Sequence, residues 1–140
     1  IKEKLETIRF GTRPSQLATM STYNFLKEHG YDHGLGVEKS LMQKRDAMLA
    51  AIKENFPDTC EWTEPNGGMM LWMKLPEGAD SWNVLKTAAD RGVKYNPGGL
   101  FRANRDRNNY LRLTYSYNSP QEIHEGIKLL ADIFEQEKLI

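Results

Sequence analysis

Arg112 is the side chain whose setting in the sequence most directly suggests ligand binding. The run 110–117 alternates, with Leu111, Leu113, Tyr115 and Tyr117 on one face and Arg112, Thr114 and Ser116 on the other. That is the period of a strand. An arginine between two leucines that enter a core must point away from it. Thr114 and Ser116 are small and polar, and leave room for the planar guanidinium to meet a carboxylate through a two-pronged contact. Charge-assisted bonds of this kind are worth about 1.5–3 kcal/mol each. The spacing leaves two other readings open: a solvated strand face, or an arginine paired with an acid of its own chain.

Two glycine-rich turns come next. Asn66-Gly67-Gly68-Met69-Met70-Leu71-Trp72 sets paired glycines at the head of an apolar strand, where backbone can approach a ligand closely. Asn96-Pro97-Gly98-Gly99-Leu100-Phe101 repeats the arrangement. Neither contains the glycine and lysine spacing of a phosphate loop or the spacing of a dinucleotide fingerprint, and each alone also reads as a simple turn. His29 and His33 stand four apart, but Gly30 is expected to interrupt any helix that would align them for a metal. Arg102, Arg105 and Arg107 form a basic loop without the interleaved aromatics of a single-strand binder. Trp62, Trp72 and Trp82 are read as packing residues, and the Ser, His and Asp residues are too scattered for a nucleophilic triad.

Composition limits the classes further. A chain of 140 residues fits one domain, and at that size roughly two-thirds of the unfolded surface is buried. Hydrophobic residues make up 39% and charged residues 27%, as in soluble globular chains. Nineteen basic and nineteen acidic side chains cancel, leaving no overall field to attract nucleic acid or an anionic membrane. Cys60 is the one cysteine, so no internal disulfide can form and a reducing, cytoplasmic setting is expected. No apolar stretch approaches membrane-spanning length. The opening Ile-Lys-Glu-Lys-Leu-Glu-Thr-Ile-Arg lacks a Met and reads as the middle of a helix within a longer polypeptide.

The elements that must position these residues follow from periodicity and breakers. Apolar spacing predicts a helix over 15–29, a connector at 31–36 and a long helix over 37–56 whose inner face carries Val37, Leu41, Met48, Ile52 and Phe56. Short apolar runs at 60–63 and 69–75, separated by Pro65-Asn66-Gly67-Gly68, predict paired strands. A helix is expected over 80–91, capped by Asp80 or Ser81 and stopped by Gly92, then a short strand over 93–96. Ser119-Pro120-Gln121-Glu122 supplies a capping box ahead of Ile123, Ile127, Leu130 and Phe134. The order predicts an α+β fold: a small, mostly antiparallel sheet with helices packed on one side.

Taken together, three segments carry a resemblance: Pro65 to Trp72; Gly92-Val93-Lys94-Tyr95-Asn96-Pro97-Gly98 with Phe101; and Asn109-Tyr110-Leu111-Arg112-Leu113-Thr114-Tyr115-Ser116. In this order they resemble the C-terminal part of class I/II, fold-type I aminotransferases that use pyridoxal phosphate. The branch they are most similar to is that of 2-aminoadipate and broad-specificity enzymes with their regulator-fused relatives. Thr12-Arg13-Pro14-Ser15-Gln16-Leu17-Ala18 and the Lys44-Arg45-Asp46 helix also match, so the resemblance covers nearly the whole chain. It implies that residues 1–14 end a large-domain or linker helix and loop, and that 15–140 form the small domain. It also implies that Arg112 holds a substrate α-carboxylate, an orienting rather than chemical role. Gly68 and Met70 would then border the substrate side chain, and Thr12 would reach toward the cofactor phosphate of a neighbouring subunit. An amino-acid and a 2-oxo-acid substrate, a homodimeric whole protein, and no nucleic-acid or membrane partner belong to the same expectation.

One departure from the family matters. The Schiff-base lysine and the aspartate that pairs with the pyridine nitrogen are absent, and no lysine stands in a Ser-x-x-Lys context. The chain alone is therefore expected to hold no catalytic residue, to bind pyridoxal phosphate only through a missing large domain, and to be inactive. Two alternatives remain: the effector domain of an aminotransferase-like transcription regulator, and an independent α+β module that binds anions or nucleic acid through the loop 102–107.

Overall fold

A computed structural model describes residues 15–104 and 108–140. Residues 1–14, with Thr12 and the expected linker, lie outside the described residues, as do Arg105 and Arg107. The chain divides after Val37 into two compact units, Ile1–Val37 and Glu38–Ile140.

The first helix, α1, runs unbroken over Gln16–Asn55, 40 residues, so the expected pair of helices with a connector at 31–36 is corrected. Gly30, Gly34 and Gly36 each disfavour a helix by only about 1 kcal/mol relative to Ala, and all keep their backbone donors and acceptors. No proline removes a donor between Gln16 and Asn55, so the hydrogen-bond ladder continues. At its start the Ala18 N–H donates to Ser15 Oγ at 3.4 Å. Within the first unit, His29 and His33 therefore share one helical face, with their rings 5.5 and 5.4 Å from that of Phe25. The expected interruption by Gly30 does not occur. Among the described residues, however, no group of three or more His, Cys, Asp or Glu side chains is placed to hold a metal.

In the second unit, β1 is Glu61–Trp62, β2 is Met70–Lys74, β3 is Asn96–Pro97 and β4 is Tyr110–Thr114. Two further helices, α2 over Leu85–Asp90 and α3 over Pro120–Gln136, complete it. The sheet order is β1-β2-β4-β3 with every pairing antiparallel, so β4 enters between β2 and β3. Leu71, Met73, Leu111, Leu113 and Tyr115 form one buried cluster with Met48, Ala51, Ile52 and Phe56 of α1's end. Ile123, Ile127, Leu130, Ile133 and Phe134 of α3 belong to the same cluster. The helices thus cover one face of the sheet, the α+β arrangement expected from the order of elements.

Several boundaries differ from the periodicity. Residues 81–84 form turns rather than helix, because Ser81 is buried and bound to backbone outside the segment. Asp80 Oδ1 accepts from Trp82 N–H at 2.9 Å, as a turn cap does. The strand expected over 93–96 pairs only at Asn96–Pro97. Tyr115 is buried beyond the end of β4, but Tyr117 is 91% exposed, so the alternation fails at its last position.

Candidate functional site

The face of the sheet turned from the helices carries the residues that alternate with the core: Met70, Trp72 and Lys74 from β2, and Tyr110, Arg112 and Thr114 from β4. Register arranges them in rows. Trp72 pairs with Arg112 on one side and Asn96 pairs with it on the other, so Trp72, Arg112 and Asn96 form a row across β2, β4 and β3. Directly opposed side chains in antiparallel strands lie within contact reach, about 4.5–5.5 Å between β-carbons. The neighbours that decide what Arg112 can do are therefore Trp72 and Asn96, more than the Thr114 and Ser116 that share its strand.

A fourth side chain completes the group. After β3 the chain turns through a 3-10 helix, Gly98–Phe101, which sets the Phe101 ring under the guanidinium, 4.2 Å from Arg112 Cζ. Trp72 meets the same ring edge to face at 5.2 Å. The turn is held close because Gly98 lies against β4: a β-carbon there would sit 2.5 Å from Tyr110 Cβ and 2.9 Å from Tyr110 O. Ser81 steadies the entry to β4, its hydroxyl 2.7 Å from Asn108 O and 3.0 Å from Tyr110 O. Past β4, Lys44 Nζ donates to Ser116 O at 2.8 Å and to Tyr117 O at 3.2 Å, tying α1 to the strand's exit.

Three buried side-chain polar atoms lack a hydrogen-bond partner among the described residues: Asn108 Oδ1, Tyr115 Oη and Arg112 Nε. Only the last belongs to a charged group, and leaving a charged donor buried without a partner is costly. Arg112 is thus not paired with an acid of its own chain among the described residues. An ionised, planar donor beside two aromatic side chains fits a carboxylate arriving from outside. The hollow that shares Trp72 with the row, bounded by Glu61, Thr63, Lys74 and Tyr110 as well, holds about 150 Å³. That is below the roughly 300–1,000 Å³ of pockets that enclose small ligands, so this hollow does not by itself enclose one.

The other expected positions are placed less closely. Met70 lies one step along β2 from Trp72 on the same face and is partly exposed. Gly68 has a positive φ of 83°, which glycine alone adopts freely, and nothing crowds it. Trp72 and Phe101 are the residues that sequence reasoning did not assign to the site. Trp72 packs on Phe101, as a packing residue would, and it also stands beside Arg112. Its even spacing from Met70 and Lys74 carried the face, but only the β2–β4 register shows which residue it opposes.

Lys74 is the lysine that β2 presents on this face. Its Nζ lies 2.7 Å from Glu61 Oε1, and this hydrogen bond, with the Glu61 charge, raises its pKa. A lysine that forms an imine must instead lose its proton readily. Lys74 therefore does not fit covalent attachment of pyridoxal phosphate.

No protein-family model matches the chain. It is 47% identical over 94 residues to aromatic-amino-acid aminotransferase 1 of Thermococcus litoralis, which covers 67% of the chain and 22% of that protein. The solved structure of α-aminoadipate aminotransferase from Thermus thermophilus, complexed with N-(5'-phosphopyridoxyl)-L-leucine, superposes with a TM-score of 0.79 at 32% identity, over 85% of the chain and 31% of that structure. Kynurenine aminotransferase from Pyrococcus horikoshii gives a TM-score of 0.75 at 41% identity, over 81% and 28% respectively. An uncharacterized HTH-type transcriptional regulator of Bacillus subtilis is 31% identical across 93% of the chain and 27% of its own length. The chain spans about a quarter of the relatives it matches, and by sequence and fold it belongs with the fold-type I aminotransferases.

Proposed function

We propose that this chain is the C-terminal small domain of a pyridoxal-phosphate-dependent aminotransferase that moves an amino group from an α-amino acid to a 2-oxo acid. In this reading Arg112 grips the substrate's α-carboxylate. The observation that carries it is the buried, unpartnered Arg112 Nε on the open face of the sheet. The matched aminotransferases support the same reading. A forked pair of charge-assisted hydrogen bonds would hold the carboxylate in the guanidinium plane, orienting the substrate without performing its chemistry. Gly68 and Met70 would border the substrate side chain, and Thr12, outside the described residues, would reach toward the cofactor phosphate of a neighbouring subunit. The cofactor is held mainly by a large domain outside these 140 residues, so the chain alone binds none covalently and is inactive.

The test is made in the full-length protein. Arg112→Ala is expected to lower kcat/KM by about 10²–10⁴-fold for every amino acid tried, because two charge-assisted bonds amount to about 3–6 kcal/mol and each 1.4 kcal/mol is tenfold. Arg112→Lys should recover little of this, since an ammonium cannot fork. The absorbance of the bound cofactor should stay as in the parent. Loss of cofactor with substrate affinity intact would sink the assignment.

A second reading has an observation of its own: the regulator of Bacillus subtilis matches along 93% of the chain. In that case the domain senses an amino acid or the cofactor for a DNA-binding region elsewhere. A helix-turn-helix segment upstream of Ile1, with specific DNA binding by the full protein, would favour it.

A further inference from the structure

We infer that Phe101 is a positioning residue for Arg112: its ring holds the guanidinium in the orientation that receives the carboxylate, and Trp72 holds the ring. This rests on the carboxylate-clamp reading and adds to it a residue that touches no reacting atom. Arg112 Nε has no hydrogen-bond partner among the described residues, and an arginine side chain so placed would otherwise sample many rotamers. The nearest constraint is the Phe101 ring face, 4.2 Å from Cζ. A cation this close to a ring is drawn to its negative face, and a planar guanidinium also stacks on it.

The ring itself is constrained on both sides of its own bond to the chain. Trp72 meets it edge to face with the ring planes 85° apart, a favoured aromatic geometry. Its backbone ends the 3-10 helix Gly98–Phe101, whose first residue is pressed against Tyr110. Phe101 nevertheless remains 44% exposed and is not among the residues of the buried core. An exposed aromatic that is rigidly placed under an unpaired charge is better explained by the charge than by the fold. A guanidinium oriented in advance loses less freedom when the carboxylate arrives, and binding strengthens without any new contact to the ligand.

Phe101→Leu keeps apolar volume and removes the π face, whereas Phe101→Tyr keeps the face. In the full-length, cofactor-loaded protein, with L-leucine as donor and 2-oxoglutarate as acceptor, Phe101→Leu should raise both KM values about 3–10-fold, the worth of one cation–π contact. The kcat should stay within about twofold, because orientation of bound substrate by the forked bond survives. Phe101→Tyr should behave as the parent. A readout free of turnover is the arginine Nε–H signal of Arg112 by NMR. It should lie upfield in the parent and in Phe101→Tyr, move downfield in Phe101→Leu, and shift on titration with the unreactive monocarboxylate 3-phenylpropanoate. Unchanged KM values in Phe101→Leu, or a Tyr variant as impaired as the Leu variant, would overturn the inference while a defective Arg112→Ala leaves the clamp standing. If Arg112→Ala itself is silent, the clamp and this inference both fall.

Discussion

At the scale of single residues, Gly98 shows how a small side chain positions a larger one. With a β-carbon 2.5 Å from Tyr110 Cβ, the turn could not lie against β4, and Phe101 would move with it. The obstructing atoms are Cβ and backbone of a sheet residue, which cannot swing aside. Gly98→Ala is therefore expected to destabilise the fold by about 1–3 kcal/mol, the range for overpacking, measured as a lower urea midpoint with unchanged slope. An unchanged midpoint would mean that the turn yields freely. Arg112 illustrates what is legible at this scale. Its outward direction follows from Leu111 and Leu113 alone, because strand alternation is local. Its neighbours across the sheet do not follow, because pairing partners are separated by up to tens of residues.

At the scale of elements, α3 was legible almost completely and α1 was not. The Ser119 hydroxyl accepts from Glu122 N–H at 3.3 Å and Glu122 Oε2 accepts from Ser119 N–H at 2.7 Å, the reciprocal cap read from four consecutive residues. The backbone hydrogen bond from Ser119 and then its side chain hold the Glu122 carboxyl below its usual value of 4.5. A carboxyl that ionises more readily when folded adds stability that is complete above that usual value and fades as pH falls through the lower folded one. Glu122→Gln should thus be less stable than the parent near neutral pH, and the gap should close on acidification below the usual value of 4.5. Urea denaturation across that range measures it, and a gap independent of pH would refute the ionic cap. In α1, by contrast, three glycines suggested a connector. Glycine lowers helix propensity without blocking the hydrogen-bond ladder, so the punctuation was weaker than it looked.

At the scale of the whole molecule, one cluster joins the sheet to the helices behind it, and Phe134 stands at its centre. It is fully buried, with Phe56 edge to face at 6.2 Å and Tyr95 at 5.6 Å. Tyr95 in turn donates to Ser81 O at 2.6 Å, and burial first, then the Asp80 charge, raises its pKa. Phe134→Ala should cost about 3–5 kcal/mol, a large part of the 5–15 kcal/mol typical of a domain. Thermal or urea unfolding checks it. A cost below about 1 kcal/mol would mean that the ring is not central to the packing. Because this core lies on one side of the sheet only, the other side is free to present Trp72, Arg112 and Asn96. Among the described residues no helix is long and apolar enough to cross a membrane.

The amino-acid sequence by itself determined the features that depend on near neighbours. These are the outward face of Arg112, the capping box and inner stripe of α3, the turn at Gly68, and the α+β class that their order implies. Each rests on a period or a cap spanning a few residues, and so survives any packing. Only the tertiary structure decided that Trp72 and Asn96 flank Arg112 and that Phe101 lies beneath its guanidinium. Those contacts depend on β4 entering between β2 and β3 in one register. A shift of one residue would have turned every side chain of the strand to the other face, and nothing local to Arg112 states which register the buried core selects.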